Sequence, residues 1–219
     1  MRLLFKYPTR NRWGWFRKTL ETYYGMMSEN CDFQFLVTLD EDDSSIFIPE
    51  VRKFLDYQPN LIYHYGKSRT KIEACNADMD LAGEWDILVL VSDDMIPIVQ
   101  NFDKIIVDNM RKHFPDTDGA LHFNDGFLGK DKTITLSIMG RKMYERFGYI
   151  YHPTYKSFFC DNEFTEQVRK LKKVIYISQV IIQHKWKGNE GDDLYRRNTK
   201  ACSIDENTYR KRKALGFPI

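Results

Sequence analysis

The chain of 219 residues has almost no net charge, no clustered cysteines, no long apolar run and neither of the common glycine-rich phosphate loops. Its 33 Lys and Arg residues nearly cancel 31 Asp and Glu, and a balance of +2 argues against a protein devoted to coating DNA. Cys31, Cys75, Cys160 and Cys202 lie far apart with no Cys-x-x-Cys, which excludes a disulfide framework and a zinc pattern. Free thiols are expected, and with them a reducing, cytoplasmic setting. No stretch approaches the roughly 20 apolar residues of a membrane-spanning helix. The longest, Ile87 to Val91, runs straight into Ser92-Asp93-Asp94. The opening residues Met1 to Pro8 hold too short an apolar stretch for a signal peptide. Neither Gly-x-Gly-x-x-Gly after the first strand nor a Walker-type Gly-x-x-x-x-Gly-Lys-Ser/Thr occurs, so a dinucleotide-binding Rossmann site is disfavoured. A phosphate bound here has to be held by metal together with Arg or Lys. Internal repeats and low-complexity linkers are absent too, which favours one domain with a short appendage.

What the chain does have is enough aromatic surface, 15% Phe, Trp and Tyr, to build a core that offsets chain entropy. Strands are expected at 2–7, 33–39, 61–65 and 87–91, with helices at 13–27, 49–55 and 67–81 between them. Farther on, helices are expected at 99–113, 141–147 (ended by Gly148) and 162–171, and strands at 120–123, 133–139 and 174–183. The alternation calls for right-handed crossovers and a mostly parallel α/β sheet flanked by helices. Such sheets bind ligands at the carboxyl ends of their strands. Here those ends carry Pro8-Thr9-Arg10, Asp40-Glu41-Asp42-Asp43, Gly66-Lys67 and Ser92-Asp93-Asp94, so one rim is crowded with charge.

Two adjacent carboxylates after a buried strand repel each other and call for a counter-charge. A hard divalent cation, Mg²⁺ or Mn²⁺, shared with substrate phosphates would supply it, while a solvated turn capping the next helix is the plainer alternative. Asp40, Asp42 and Asp43 carry the same two readings, and Arg10, Arg69 and Lys71 are cations placed to meet a phosphate. Asn124 and Asp125, in His122-Phe123-Asn124-Asp125-Gly126, end a further strand and read either as ligands of a donor or acceptor or as an Asn-Asp-Gly turn. Of the tryptophans, Trp186 is the best placed to stack on a ring, and Trp13 belongs with the core.

These segments carry a resemblance. Pro8-Thr9-Arg10-Asn11-Arg12, the strand 35–40, Lys71-x-x-Ala74-x-Asn76, and Gly83-Glu84-x-Asp86-Ile87 leading to Ser92-Asp93-Asp94 resemble a family 2-type glycosyltransferase of the GT-A fold. Phe159-Cys160-Asp161-Asn162-Glu163-Phe164 resembles the acidic segment that supplies the catalytic base in that family, and His184 sits where related enzymes often place a metal-binding His. The order and spacing of these segments, rather than any one of them, carry the likeness. The resemblance implies an inverting, metal-dependent transfer from a nucleoside-diphosphate sugar, with a UDP-sugar as the expected donor. Pro8, Thr9, Arg10, Asp40 and Asp42 would hold the nucleoside, and Arg69, Lys71, Asn76, Ser92 and Asp93 would stand near the nucleotide. Asp94 and His184 would ligate Mn²⁺ or Mg²⁺. Asp161 would serve as base with Glu163 in reserve, unless Asp161 is no more than an N-cap. Where the family often carries a further Asp two positions before the pair, this chain has Val91.

On this reading residues 1–184 form the GT-A domain, with a nucleotide half to about 97 and an acceptor half from 98, and 185–219 form a basic tail or flap. The tail's cations suit closure over the donor, an anionic acceptor (a glycan, a small molecule or modified nucleic acid) or a lipid surface, and 188–193 is a candidate hinge. Two rivals remain. A nucleotidyltransferase acting on a sugar phosphate also uses a carboxylate pair and metal, but it wants glycines after the first strand. A nucleic-acid-binding protein without catalysis would use the tail, although a pI of about 8.2 is mild for it.

Overall fold

The computed structural model describes residues 1–185 and 193–218. The first half alternates β1 (Leu3–Pro8), α1 (Trp13–Met26), β2 (Phe33–Asp40), α2 (Pro49–Asp56), β3 (Leu61–Gly66), α3 (Lys71–Asn76) and β4 (Ile87–Leu90), with one 3-10 turn at Met79–Leu81. Next come β5 (Met95–Pro97), α4 (Phe102–His113), β6 (Ala120–Phe123), β7 (Ile138–Gly140), α5 (Arg141–Phe147) and α6 (Cys160–Lys170). The chain continues through β8 (Val174–Ile177), β9 (Ile182–His184), α7 (Asp193–Thr199) and α8 (Cys202–Ala214). Seven strands form one sheet in the order β3-β2-β1-β4-β7-β6-β8, in which only β7 runs against its neighbours; β5 and β9 pair as a separate ribbon.

The period of two along β1 explains why its sequence is apolar throughout. Leu3, Phe5 and Tyr7 enter a core packed by α1, α2 and α4, whereas Leu4 enters a second core on the other face, with α3, α5 and α6. Lys6 also points into that second face and is fully buried. Its ammonium donates to the Thr38 hydroxyl, Thr38 donates to Asp78 at 2.5 Å, and Asp78 pairs with His64 at 2.9 Å. Desolvation lowers the Lys6 pKa to about 8 against the pull of Asp78.

That buried chain of polar groups explains one departure from the sequence expectations. In place of a helix over 67–81, α3 runs only from Lys71 to Asn76, capped by the Thr70 hydroxyl accepting from the Glu73 N–H. The helix ends where Ala77 turns extended, ψ 159°, and Asp78 then takes a left-handed conformation, φ 62°, with its carboxylate accepting from Thr38. A second departure is at 133–139, where only Ile138–Gly140 joins the sheet, because the Ile134 N–H is used by the Thr165 hydroxyl of α6 at 2.9 Å. The third is at 174–183, which divides at Ser178-Gln179: β8 stays in the main sheet beside β6, and β9 leaves it to pair with β5. No helix among the described residues is long and apolar enough to cross a membrane.

Candidate active site

Parallel register gathers the rim. Pro8 lies beside Thr38 and Lys6 beside Leu90, so the residues just beyond them, Thr9, Asp40 and Ser92-Asp93-Asp94, emerge together above the strand ends. They floor a cleft of about 370 Å³. Its far wall comes from Ser157 to Asp161 at the start of α6 and from Leu194, Tyr195, Arg197 and Asn198 of α7.

The two neighbouring aspartates behave differently. Asp93 turns inward, 6% exposed, and takes a hydrogen bond from Arg12 at 3.0 Å. Burial pushes its pKa up to about 6, with Arg12 opposing and Asp94 adding to the rise. The carbonyl of Asp93 accepts from Thr19 and that of Met95 from Tyr23, which pins this segment to α1. Asp94 faces the cleft. Desolvation works against its charge, but His184, the Ser92 hydroxyl and Lys71 hold it well below the usual carboxylate range.

His184 reaches Asp94 through backbone pairing. In the β5–β9 ribbon Met95 stands opposite His184, and the Lys185 N–H donates to the Asp94 carbonyl at 2.7 Å. The His184 Nε2 then lies 3.7 Å from Asp94 Oδ2, an ion-pair separation too long for a direct hydrogen bond. Across the cleft, Asp161 sits in the first turn of α6 and accepts from the Asn162 N–H at 3.0 Å. Helix α6 begins at Cys160, with Phe159 as its N-cap, so Asp161 lies within the helix and is not its cap. Desolvation raises the Asp161 pKa, partly countered by Lys71. Lys71 lines the same cleft: desolvation opposes its charge, yet Cys160, Cys75, Asp161 and Asp94 together raise its pKa.

At the other end of the cleft Arg10 is clasped by two carboxylates, Asp40 at 2.8 Å and Asp42 through both oxygens. Asp40 also accepts from the Ser68 N–H. The Thr9 hydroxyl and Arg10 Nε are buried without a partner in the protein, two polar atoms at the cleft wall that a ligand can satisfy.

Of the residues anticipated from sequence, Pro8, Thr9, Arg10, Asp40, Lys71, Ser92, Asp93, Asp94, Asp161 and His184 line this cleft. The others do not. Asp42 is exposed and faces Arg10, and Arg69 is bound to Glu73 at 2.8 Å on the outer surface. Asn76 ties α3 to the 150–151 backbone through three hydrogen bonds. Asn124 and Asp125 form the Asn-Asp-Gly turn, with Asp125 accepting from the N–H groups of Phe127 and Leu128 and from Thr135. Glu163 points the other way along α6, 1% exposed, into Arg212, Tyr155 and Gln167. Asp43 is likewise structural, tying the Asn11 N–H to Ser45. Trp186 and all of the candidate hinge at 188–193 but its last residue lie outside the described residues.

Sequence reasoning counted Arg197 only among the tail's cations, and it missed the role of α8; on the cleft wall the Arg197 guanidinium donates to the Arg69 carbonyl at 2.8 Å. Asp205 of α8, fully buried, accepts from the N–H groups of Lys156, Ser157 and Phe158, which fixes the loop that leads into Asp161. Nothing in the local sequence sets these two residues apart from ordinary charges on a tail helix.

No protein-family model matches the chain, and no curated protein matches it in sequence. Solved structures do match. The mannosyltransferase PcManGT from Pyrobaculum calidifontis, in complex with GDP-Man and Mn²⁺, has a TM-score of 0.70 at 15% identity, over 96% of this chain and 64% of its own. S. aureus TarS 1–349 gives 0.67 at 14% identity over 84% of this chain and 60% of its own. The same protein in complex with UDP-GlcNAc gives 0.65 at 14%, over 90% of this chain and 64% of its own.

The fold is GT-A. The chain spans less than two thirds of the length of these matched proteins. Within the cleft Asp94 and His184 present a carboxylate and an imidazole 3.7 Å apart, a pair of donors that could hold a divalent ion. Among the described residues no three His, Cys, Asp or Glu side chains converge.

Proposed function

We propose that this chain is a family 2-type, metal-dependent inverting glycosyltransferase that moves a sugar from a nucleoside-diphosphate sugar, a UDP-sugar by preference, to an acceptor hydroxyl. The observation that carries the reading is the meeting of Asp94 and His184 on the floor of a cleft whose opposite wall presents Asp161. The solved relatives in complex with GDP-Man and UDP-GlcNAc support a nucleotide-sugar donor.

Thr9 and Asp40 would meet the nucleoside: the unpartnered Thr9 hydroxyl donates or accepts, and the Asp40 carboxylate accepts from a base N–H. Lys71 would stand beside the diphosphate. Asp94 and His184 would hold Mn²⁺ or Mg²⁺, which when bound supplies positive charge against the developing negative charge of the leaving group. As the bond from the anomeric carbon to phosphate breaks and the acceptor oxygen bonds to that carbon from the opposite face, Asp161 takes the acceptor's proton. A carboxylate with a raised pKa is the better base for that transfer. The walls contributed by α6 and α7 would shield the reacting carbon from water, so that the acceptor's hydroxyl is the preferred nucleophile.

The test is thermal denaturation with UDP, GDP, ADP and CDP, each with and without Mn²⁺. Stabilisation of several degrees by UDP that requires Mn²⁺ is the expected result. Equal indifference to all four nucleotides would overturn the reading, and release of pyrophosphate from a nucleoside triphosphate would replace it with nucleotidyl transfer.

A further inference from the structure

A second, smaller groove of about 250 Å³ opens beside the cleft and shares Thr70, Ser157, Arg197 and Asn198 with it. Four cations line it, Arg69, Lys156, Arg197 and Lys200, and no carboxylate does. Their charges are unequally answered. Arg69 is paired with Glu73. Arg197 donates to the backbone carbonyls of Ser68 and Arg69, which orient it without neutralising it. Lys156 and Lys200 are exposed, and no described carboxylate pairs with either.

Most cations of α8 behave in the opposite way. Arg210 pairs with Glu206, Arg212 with Glu163 and Lys213 with Glu166. Three of the four cations of α8 are thus matched, Lys211 being the exception, whereas Lys156 and Lys200 in the groove meet no described carboxylate. The groove wall is also held in place, because Asp205 fastens the backbone at 156–158 from behind. Ala201 and Ile204 add an apolar side to the lining. Ordered backbone, converging guanidinium and ammonium groups and a small apolar side suit a phosphate ester on a carbon chain. The volume lies below the roughly 300 Å³ at which drug-sized pockets begin, so the occupant is a fragment and not a wrapped polymer.

We propose that this groove binds a phosphate ester of the acceptor and so aims the acceptor's hydroxyl into the cleft at Asp161. The proposal rests on the glycosyltransferase reading of the cleft and adds the chemical class of its acceptor. A phosphorylated polyol or sugar is favoured over a polynucleotide on grounds of volume.

The test is calorimetric titration of the full chain at low ionic strength, where partly exposed charges are least screened. The probes are inorganic phosphate, ribose 5-phosphate and a single-stranded oligonucleotide, each in the presence of saturating UDP and Mn²⁺. Ribose 5-phosphate is expected to bind with UDP in place, more tightly than inorganic phosphate. The double variant K156A/K200A should weaken it tenfold or more and leave UDP affinity within twofold, and K211A, outside both cavities, should change neither. Binding abolished by UDP, binding indifferent to K156A/K200A, or no binding at all would overturn the proposal. An oligonucleotide that outbinds ribose 5-phosphate and loses that affinity in K156A/K200A would overturn the choice of occupant. Failure of UDP to bind the unaltered chain sinks the donor reading separately, and the phosphate titration without UDP then still decides whether the groove is an anion site.

Discussion

The two walls of the cleft are built by different means. The floor, from Thr9, Asp40 and Ser92-Asp93-Asp94, comes from consecutive strand ends, each a few residues long and set in place by parallel register. The far wall, from 157–161 and 194–198, consists of pieces brought together by contacts between segments some 50 residues apart, chiefly Asp205 to the 156–158 backbone and Arg212 to Glu163. A floor made by the sheet is insensitive to any one side chain that lines it. A wall held by a few buried charges is not, because removing one partner leaves the other desolvated and unpaired.

The largest effects should separate chemistry from architecture. Asp161→Asn is expected to lower sugar transfer by about 1,000-fold while calorimetric UDP affinity stays within twofold. A parallel loss of nucleotide binding would show that the far wall also shapes the donor site. On the floor, Asp94→Ala should cost at least about 100-fold in Mn²⁺-dependent turnover and remove the Mn²⁺-dependent part of the UDP thermal shift. Asp93→Asn should keep that Mn²⁺-dependent part, since Asp93 is committed to Arg12; equal loss from both would erase the distinction between the neighbours.

Stability effects come next. Arg212→Ala strands Glu163 in the interior and is expected to cost about 3 kcal/mol in urea unfolding, where Arg210→Ala, at an exposed pair, should cost under about 0.5 kcal/mol. Asp205→Ala leaves three backbone N–H groups without their acceptor, an expected loss of about 2 kcal/mol. If it unfolds the chain no more readily than Arg210→Ala, α8 is not the support of the wall.

The smallest effect concerns pH. Burial, helped by Arg169 and opposed by Asp125, lowers the His122 pKa to about 4. The folded state therefore favours the neutral ring. Its contribution is complete above the unfolded value near 6.5 and is lost as pH falls through about 4. The midpoint of thermal unfolding should fall less steeply from pH 7 to 4 in His122→Gln, by a few degrees. An unchanged slope would mean that His122 gains its proton without disturbing the sheet around β6.

How much of this was legible depended on sequence distance. Strand ends are local, so an apolar run stopped by Asp, Asn or Thr announces both the strand and the polar residues at its end, as at Val37 to Asp40 and Ile87 to Asp94. The helix expected over 67–81 was misjudged because its interruption serves Lys6 and Thr38, some 40 residues earlier or more. Glu163 matched an acidic segment of the right kind, but on a helix two positions from Asp161 it turns to another face and finds Arg212. Asn124 and Asp125 were equally compatible with a ligand and a turn, and their side-chain oxygens went to the nearest N–H groups.

The sequence by itself determined the alternation of strands and helices and the charged rim, since hydrophobic period and turn chemistry act over a few residues. Only the tertiary structure decided which aspartate of the pair is taken by Arg12, that His184 meets the other through a two-strand ribbon, and that a charged tail becomes both wall and brace. Those outcomes turn on which buried charges find partners across the chain, and a partner tens of residues away leaves no trace in the pattern around either residue.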